Sequence, residues 1–120
     1  MIKLVFCCRR KPEMSLEEFQ TRWRDVHGPL VRKLRERLPM MKRYVQSHSL
    51  APALNAPLQA SRGTAEPYDG ITEVWFESLE AMAAQGDDAL EAARQLHEDE
   101  AEFLDFARSS VFLTEEIEIF

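Results

Sequence analysis

The segment "IKLVFCC", residues 2–8, decides the fold, because apolar side chains occupy most of both alternating sets of positions. Successive side chains of a strand point to opposite faces, so this segment predicts a strand that is covered on both faces. Cys7 and Cys8 would then point in opposite directions, which makes a disulfide between them strained and predicts two free thiols. Any sheet built on this strand needs both of its faces shielded from water.

A helix start follows the first strand. Ser15 with Glu18 three residues later forms the S-x-x-E capping box, in which each residue satisfies a free backbone amide of the other. Apolar residues then recur every three or four positions, which is the spacing of one buried helix face. They are Leu16, Phe19, Trp23, Val26, Leu30, Leu34 and Leu38.

The stretch "RDVHGPLV", residues 24–31, interrupts this helix. Pro29 cannot donate an amide to the carbonyl of Asp25, and it disfavours helical geometry at Gly28. The helix is therefore expected to kink or break at this point. His27 stands directly before the interruption, beside the apolar stripe.

The rest of the chain predicts three more strands, two helices and one long loop. The strands are residues 40–50, 70–77 and 109–120; Ser78 and Asp87 cap the helices, and the loop runs from Ala51 to Pro67. The second long helix carries an apolar stripe of Leu90, Ala93, His97, Ala101 and Leu104, which places His97 on its buried face. The order βαββαβ predicts an α+β, ferredoxin-like single domain over residues 1–120, with a four-stranded antiparallel sheet.

This topology leaves one face of the sheet without helices, and that face is predicted to bind a second copy of the chain. Two helices cover one face, whereas the first and last strands carry large apolar side chains on both faces. A monomer would expose more contiguous apolar surface than soluble proteins tolerate. We therefore expect a homodimer whose sheets pack face to face, in which symmetry is the commonest arrangement.

Composition and charge exclude several classes of function. The net charge is −6, but residues 1–43 hold 12 of the 15 Lys and Arg, and residues 44–120 hold 16 of the 21 Asp and Glu. The basic residues are spaced as a solvated helix face and no nucleic-acid motif accompanies them, so no nucleic-acid partner is expected. The apolar runs are too short for a membrane span or a signal peptide, so we expect a cytoplasmic protein without a membrane partner.

Several segments together resemble the EthD family of the dimeric α/β-barrel superfamily, over nearly the whole chain. They are "RRKPEMSLEEFQTRWRDVHGPLVRKL", "RYVQSH", "YDGITEVWFES" and "FLDFARSSVFLTEE". The superfamily includes cofactor-free monooxygenases of aromatic polyketides, lactone isomerases, decarboxylases and dechlorinating enzymes. The resemblance implies the fold and the dimer strongly and the reaction only weakly. The segment from Leu50 to Pro67 departs from the family in being richer in Ala and Pro, which bears on the substrate side.

The resemblance also implies a polar and aromatic pocket formed by His27, Tyr44, His48 and Trp75. An imidazole with a pKa of about 6.5 can act as a general base, so His27 is the candidate base, with Tyr44 and His48 polarising a substrate oxygen. Tyr44 and His48 are about 13 Å apart along one strand face, which suits opposite ends of a ligand. Trp23, Trp75, His97 and Asp105 complete the predicted pocket, with Asp105 as a carboxylate that could orient an imidazole.

Each candidate also has a structural interpretation. His27 could bond backbone groups freed at Pro29, Trp23 and His97 could belong to the core, and Asp105 could bond locally. The run "HEDE" at residues 97–100 lacks the spacing of a zinc site, and phosphate loops, nucleophile elbows and haem motifs are missing from the sequence, so no metal and no cofactor are expected.

The sequence therefore supports two hypotheses. The first is a small homodimeric enzyme that transforms a hydrophobic, oxygenated ring compound without a cofactor, by oxygen addition, isomerisation or decarboxylation. The second is a non-catalytic ligand-binding or accessory protein of a degradative oxygenase pathway. An open pocket that contains His27 favours the first, and a filled interior favours the second.

Overall fold

The computed structural model describes residues 1–120. Four strands carry the fold: β1 (Ile2–Cys8), β2 (Arg43–His48), β3 (Gly70–Phe76) and β4 (Ser110–Glu115). The helices are α1 (Leu16–Arg22), α2 (Gly28–Leu34), α3 (Pro52–Arg62), α4 (Leu79–Ala83) and α5 (Asp87–Glu100). The predicted order of strands and long helices is confirmed, with α3 as an additional helix.

The strands form one antiparallel sheet in the order β2-β3-β1-β4. β1 is therefore an interior strand, as its apolar sequence predicts. Leu4, Phe6 and Cys8 point to the face that the helices cover, and Lys3, Val5 and Cys7 point to the opposite face. The sheet is ferredoxin-like, with helices on one side.

The predicted capping box is present at the start of α1. The Ser15 hydroxyl accepts from the Glu18 amide at 3.0 Å, and the Glu18 carboxylate accepts from the Ser15 amide at 3.0 Å. These two bonds satisfy backbone donors that a helix start leaves without a partner.

The predicted kink takes the form of one widened helical turn. Trp23–His27 is π-helical and joins α1 to α2 without a break. The Gly28 amide donates to the Trp23 carbonyl, five residues earlier, and Pro29, which has no amide to donate, follows directly. The π-turn thus accommodates the proline and keeps the helix continuous.

The prediction of a loop from Ala51 to Pro67 is wrong, because most of this segment is helix α3. Pro52 occupies its first turn, and Gly63 ends it with a left-handed φ of 62°. No residue of α3 is buried, its apolar repeat is limited to exposed Leu54 and Leu58, and Pro57 inside the helix is a residue that normally argues against one. The helix preference of its alanines, Pro52 at its start and Gly63 at its end all indicate a helix, but hydrophobic periodicity does not detect these signals.

Helix α5 packs through small side chains. The predicted stripe is confirmed at Ala93 and Leu104 and is one position out of phase at its start. Ala89 and Ala92 are buried, whereas Leu90 is 54% exposed. Gly86, not Asp87, is the N-cap residue, and the helix ends at Glu100. Alanine side chains are small enough for close packing in the core, but they give a weak hydrophobic signal. The larger Leu90 therefore shifted the start of the predicted apolar stripe to the wrong side of the helix.

The core consists of two clusters on the helix-covered face of the sheet. One contains Cys8, Phe19, Trp23, Phe103 and Leu104. The other contains Leu34, Leu38, Met40, Val74, Phe76, Ala89 and Ala92. Gln46 of β2 and Thr72 of β3 are paired in register on the same face of the sheet. This polar pair lies between the strand residues of the two clusters and separates them.

The last strand is shorter than predicted, because β4 ends at Glu115 rather than at residue 120. The helix-free face presents Val5, Ile71, Trp75 and Phe112, of which Phe112 is 49% exposed. None of the helices is both long enough and apolar enough to cross a bilayer.

Candidate functional site

The π-turn directs the ring of His27 into the interior. His27 is 2% exposed, and its ring meets Phe103 edge-on at 5.2 Å between centroids. Its Nδ1 lies 2.8 Å from Oδ2 of Asp99, on α5. An ionised carboxylate only accepts, so Nδ1 carries the proton and Nε2 keeps its lone pair in the neutral ring. Burial lowers the pKa of His27, and the bond to Asp99 offsets only part of this effect.

Asp99 lies between the guanidinium of Arg22 and the imidazole of His27. Its second carboxylate oxygen forms an ion pair with Arg22 of α1. The carboxylate therefore orients the imidazole while its own charge is balanced. Asp105, the carboxylate predicted for this orienting role, instead lies 4.0 Å from Arg108 and forms no hydrogen bond or ion pair with His27.

Glu100 faces the other nitrogen of the His27 ring. Its Oε2 lies 4.0 Å from His27 Nε2, and its Oε1 lies 3.9 Å from Nδ1 of His97. Burial, with the negative charge of Asp99, raises the pKa of Glu100 to about 7. Near neutral pH this carboxyl is therefore divided between its protonated and ionised forms.

His97 lies at the outer end of this row of groups. Its side chain is 69% exposed, so the prediction that it faces the core is wrong. The ring stacks on Phe106 at 5.1 Å between centroids. Arg22, Asp99, His27, Glu100 and His97 thus form a continuous row of ionisable groups that reaches the surface through His97.

A second polar group lies on β2, on the same face of the sheet. The Gln46 side-chain amide donates to the Tyr44 hydroxyl at 3.1 Å and to the Trp23 carbonyl at 3.0 Å. Its oxygen lies 2.8 Å from Nε2 of His48, which must donate to it. Gln46 therefore joins Tyr44 and His48 to one another and to the turn that carries His27.

This connection changes the prediction that Tyr44 and His48 hold opposite ends of a ligand. Both side chains turn toward the single amide of Gln46 between them. Burial raises the pKa of Tyr44, so its phenol is neutral and its proton remains available to donate. Burial and the charge of Arg24 lower the pKa of His48, whose Nδ1 is buried without a hydrogen-bond partner.

The two predicted tryptophans do not line one pocket with His27. Trp23 is buried, packing against Phe19 at 5.4 Å and His48 at 4.4 Å between centroids. Trp75 lies on the helix-free face, where Arg43 stands 4.8 Å from its ring centroid and Glu116 accepts from its indole nitrogen. The structure therefore separates Trp75 from the other candidates, in contrast to the predicted four-residue pocket.

Asp99, Glu100 and Gln46 are not among the residues predicted from the sequence. The run "HEDE" contains the first two, but it was considered only as a metal motif. No group of three or more His, Cys, Asp or Glu side chains is arranged to hold a metal ion. Burial raises the pKa of Cys8 to about 12, so this neighbouring thiol is not a nucleophile at neutral pH.

Comparisons with known structures agree with this architecture. An EthD family protein from Bacillus halodurans superposes with a TM-score of 0.64 at 18% identity, covering 98% of this chain and 99% of that one. A hydroxynitrile lyase from Passiflora edulis gives 0.63 at 18% identity, covering 99% and 95%. A protein of unknown function from Bacteroides fragilis, described as dimeric and ferredoxin-like, gives 0.60 at 11% identity, covering 96% and 95%.

At these identities the structures show the common fold, and the sequence itself gives the family. No curated protein sequence matches the chain. The family model for the EthD domain matches residues 11–107, which include the helix with the π-turn, β2, β3 and α5. The predicted resemblance is thereby confirmed, and the chain belongs to the EthD family.

Proposed function

We propose that the protein is a cofactor-independent enzyme that moves a proton on a hydrophobic, oxygenated ring compound. The observation that carries the proposal is the row of Asp99, His27 and Glu100, which joins an oriented neutral imidazole to a carboxyl group with a pKa of about 7. An acid–base group whose pKa is close to the working pH exchanges protons most effectively. Strongly shifted, interacting groups of this kind are typical of functional sites.

Glu100 is the member of the pair that can meet a substrate. His27 is almost completely enclosed, whereas Glu100 is only partly buried and lies next to exposed His97. We assign to Glu100 the removal of a proton from an acidic C–H or phenolic O–H. His27 is the positioning residue behind it: Asp99 holds the ring proton on Nδ1, so the lone pair of Nε2 faces the Glu100 carboxyl at 4.0 Å.

Tyr44 supplies the second chemical function of the site. Its oxygen accepts a hydrogen bond from Gln46, so its own proton is free to bond to a substrate oxygen. That bond stabilises the negative charge that develops when the neighbouring carbon or phenol loses its proton. His48 uses Nε2 to hold Gln46, which makes it a positioning residue for Tyr44.

The identity of the substrate decides the outcome of the proton transfer. Return of the proton to a different carbon gives an isomer, and addition of molecular oxygen to the carbanion gives an oxygenated product. Decarboxylation uses the same pair in reverse, with Glu100 protonating the carbanion that the lost CO2 leaves. The hydroxynitrile lyase among the structural neighbours catalyses a reaction on the same fold, which supports an enzyme as the first candidate.

The proposed active form is a homodimer. Neighbours with this fold are described as dimeric. Phe112, Ile71 and Val5 form an apolar area on the helix-free face, and a second copy packed there would remove it from water. This arrangement supports the face-to-face packing that the sequence predicts.

A non-catalytic ligand-binding or accessory protein of a degradative oxygenase pathway is the second candidate. Two observations favour it. Both ring nitrogens of His27 face carboxylates of its own chain. An open groove of about 450 Å³ nearby is lined by Gly28, Tyr44 and Gln46 but not by His27, so the pocket criterion set from the sequence favours this second candidate. On this interpretation the row of ionisable groups stabilises the helix packing alone.

Hydrogen–deuterium exchange separates the two candidates without knowledge of the complete reaction. Cyclic ketones and phenols with acidic C–H groups are incubated with the protein in D2O, and loss of the C–H signal is followed by NMR. We expect catalysed exchange that falls about 100-fold in Glu100→Gln and in His27→Gln. Glu102→Gln makes the same chemical change on an exposed side chain and should exchange at the wild-type rate. Equal rates in all four proteins would favour the accessory protein.

A further inference from the structure

The open groove lined by Gly28, Tyr44 and Gln46 lies beside the helix that carries His27. The groove has a volume of about 450 Å³. One wall is α2 with the π-turn that precedes it, and the other is the segment that leads into β2. Five cationic residues line the groove: Arg24, Arg32, Arg35, Lys42 and Arg43. None of its lining residues is an Asp or a Glu. A concave site with charges of one sign attracts the opposite charge more strongly than a flat surface does.

Most of this positive charge is not balanced within the chain. Arg24 pairs with Asp25 at 2.9 Å, and Lys42 lies 3.9 Å from Glu77. Arg32 and Arg35 form no ion pair. The guanidinium of Arg43 rests on the ring of Trp75, on the helix-free face of the sheet, so Arg32 and Arg35 carry the free charge of the groove. Arginines near the end of α2 also complement the helix dipole, but that role does not require a groove.

The groove also has an apolar wall and a polar floor. Val31 and Leu38 are buried beneath it, and Met41 is half-buried beside them. Tyr44 and Gln46 form the floor, and they are the only residues that it shares with the candidate acid–base site. Ligand sites combine such apolar walls with a few charged groups that set orientation, and about 300–1,000 Å³ is their usual volume.

We propose that this groove is a second binding site, for a small organic acid that carries a carboxylate on an apolar body. The planar guanidinium groups of Arg32 and Arg35 match the geometry of a carboxylate and can bind it through paired hydrogen bonds. The apolar body lies against Val31, Leu38 and Met41. His27, Asp99 and Glu100 do not line the groove, so it adjoins the acid–base row only through Tyr44 and Gln46.

Calorimetric titration of the full chain with 2-naphthoate and with 2-naphthylmethanol tests the proposal. The two probes have the same ring system, but only the first has a carboxylate. We expect naphthoate to bind with a dissociation constant below 1 mM and about tenfold or more tightly than the alcohol, and to weaken as salt is added. Absence of naphthoate binding at 1 mM, or equal binding of the alcohol, would overturn the proposal.

Paired variants locate the binding. Arg32 and Arg35 are exposed, so the double substitution to Gln preserves the core, and circular dichroism verifies folding. We expect this variant to bind naphthoate about tenfold or more weakly. Arg62→Gln, which removes an exposed arginine on α3, should bind within twofold of wild type. Wild-type affinity in the double variant, or inorganic phosphate binding as tightly as naphthoate, would contradict an organic-acid site here.

Discussion

The imidazole of His27 is bonded to the carboxylate of Asp99 at 2.8 Å, across two helices and 72 residues of sequence. The bond sets the tautomer of the ring and leaves Nε2 facing Glu100. It also satisfies a titratable group that is almost completely buried. One contact therefore serves both the stability of the helix pair and the chemistry proposed for it, and the two contributions can be measured separately.

Asp99→Asn should destabilise the fold by about 1–3 kcal/mol at pH 7, because His27 and Arg22 lose a charged partner in a partly buried position. Urea unfolding measures the change. Asp88→Asn is the matched control, since its pair with Arg37 is exposed and should contribute less than about 1 kcal/mol. Equal losses in the two variants would show that the Asp99 contacts have no special role.

The stability of the protein should depend on Glu100 between about pH 4.5 and pH 7. Its folded pKa of about 7 lies above the ordinary value of 4.5, so the folded state holds a proton that the unfolded chain releases. The contribution of Glu100 is therefore fully present below pH 4.5 and is lost as pH rises through 7. His27 acts in the opposite direction, because its pKa is lowered and its contribution is lost as pH falls below about 6.5.

Comparison with Glu100→Gln isolates the first of these effects. Relative to wild type, the variant should gain stability as pH rises from 4.5 to 8, measured by urea unfolding at each pH. Glu102→Gln controls for the loss of one acidic residue. A wild-type to Glu100→Gln difference that stays constant over this range would show that the Glu100 pKa is unchanged by folding.

Gly70→Ala should be strongly destabilising. A Cβ at this position would lie 2.3 Å from the Trp23 ring and 2.9 Å from the Ser47 carbonyl, so a buried ring or the strand must move. Overpacking of this kind costs about 1–3 kcal/mol or more. At Gly86, by contrast, a Cβ meets no atom within 4 Å, and Gly86→Ala should change stability much less. Thermal unfolding of both variants provides the comparison, and similar melting temperatures would contradict the close packing of Trp23 on β3.

Phe112→Asp should shift the protein from dimer to monomer if the helix-free face binds a second copy. A charge at the centre of an apolar interface has no partner and must be desolvated. Light scattering after size exclusion measures the mass at micromolar concentration. Leu58→Asp on α3, an exposed apolar residue away from the sheet, should leave the dimer intact. A wild-type protein that is already monomeric would refute the dimer.

Local signals in the sequence were sufficient where each residue acts on its own neighbours. Ser15 and Glu18 define the helix start, and Pro29 marks the position of the π-turn. The strand positions follow from alternation, which is why Tyr44 and His48 are predicted to lie on one face. These features depend on backbone chemistry within a few residues, so they do not require knowledge of the tertiary structure.

The candidate site was less predictable because its contacts connect distant segments. Asp99 lies in the last turn of α5, and Asp105 lies five residues beyond its end. The sequence does not show which of the two carboxylates reaches His27; the packing of α5 against the π-turn selects Asp99. The packing depends on Ala89 and Ala92, whose small side chains carry little hydrophobic signal. Trp75 was misplaced for a different reason: alternation shows that it shares a face with Glu73, but it does not show which face the helices cover.

Glu100 and His27 are proposed to form an acid–base pair that is poised near neutral pH. NMR titration of the Glu100 carboxyl carbon and the His27 ring nitrogens measures this property, with Glu100→Gln and His27→Gln used to assign the signals. We expect Glu100 to titrate at about pH 7, and His27 to be neutral at pH 7 with its proton on Nδ1. Titration of Glu100 near its ordinary value of 4.5, or a His27 ring that is protonated on both nitrogens at pH 7, would contradict the claim.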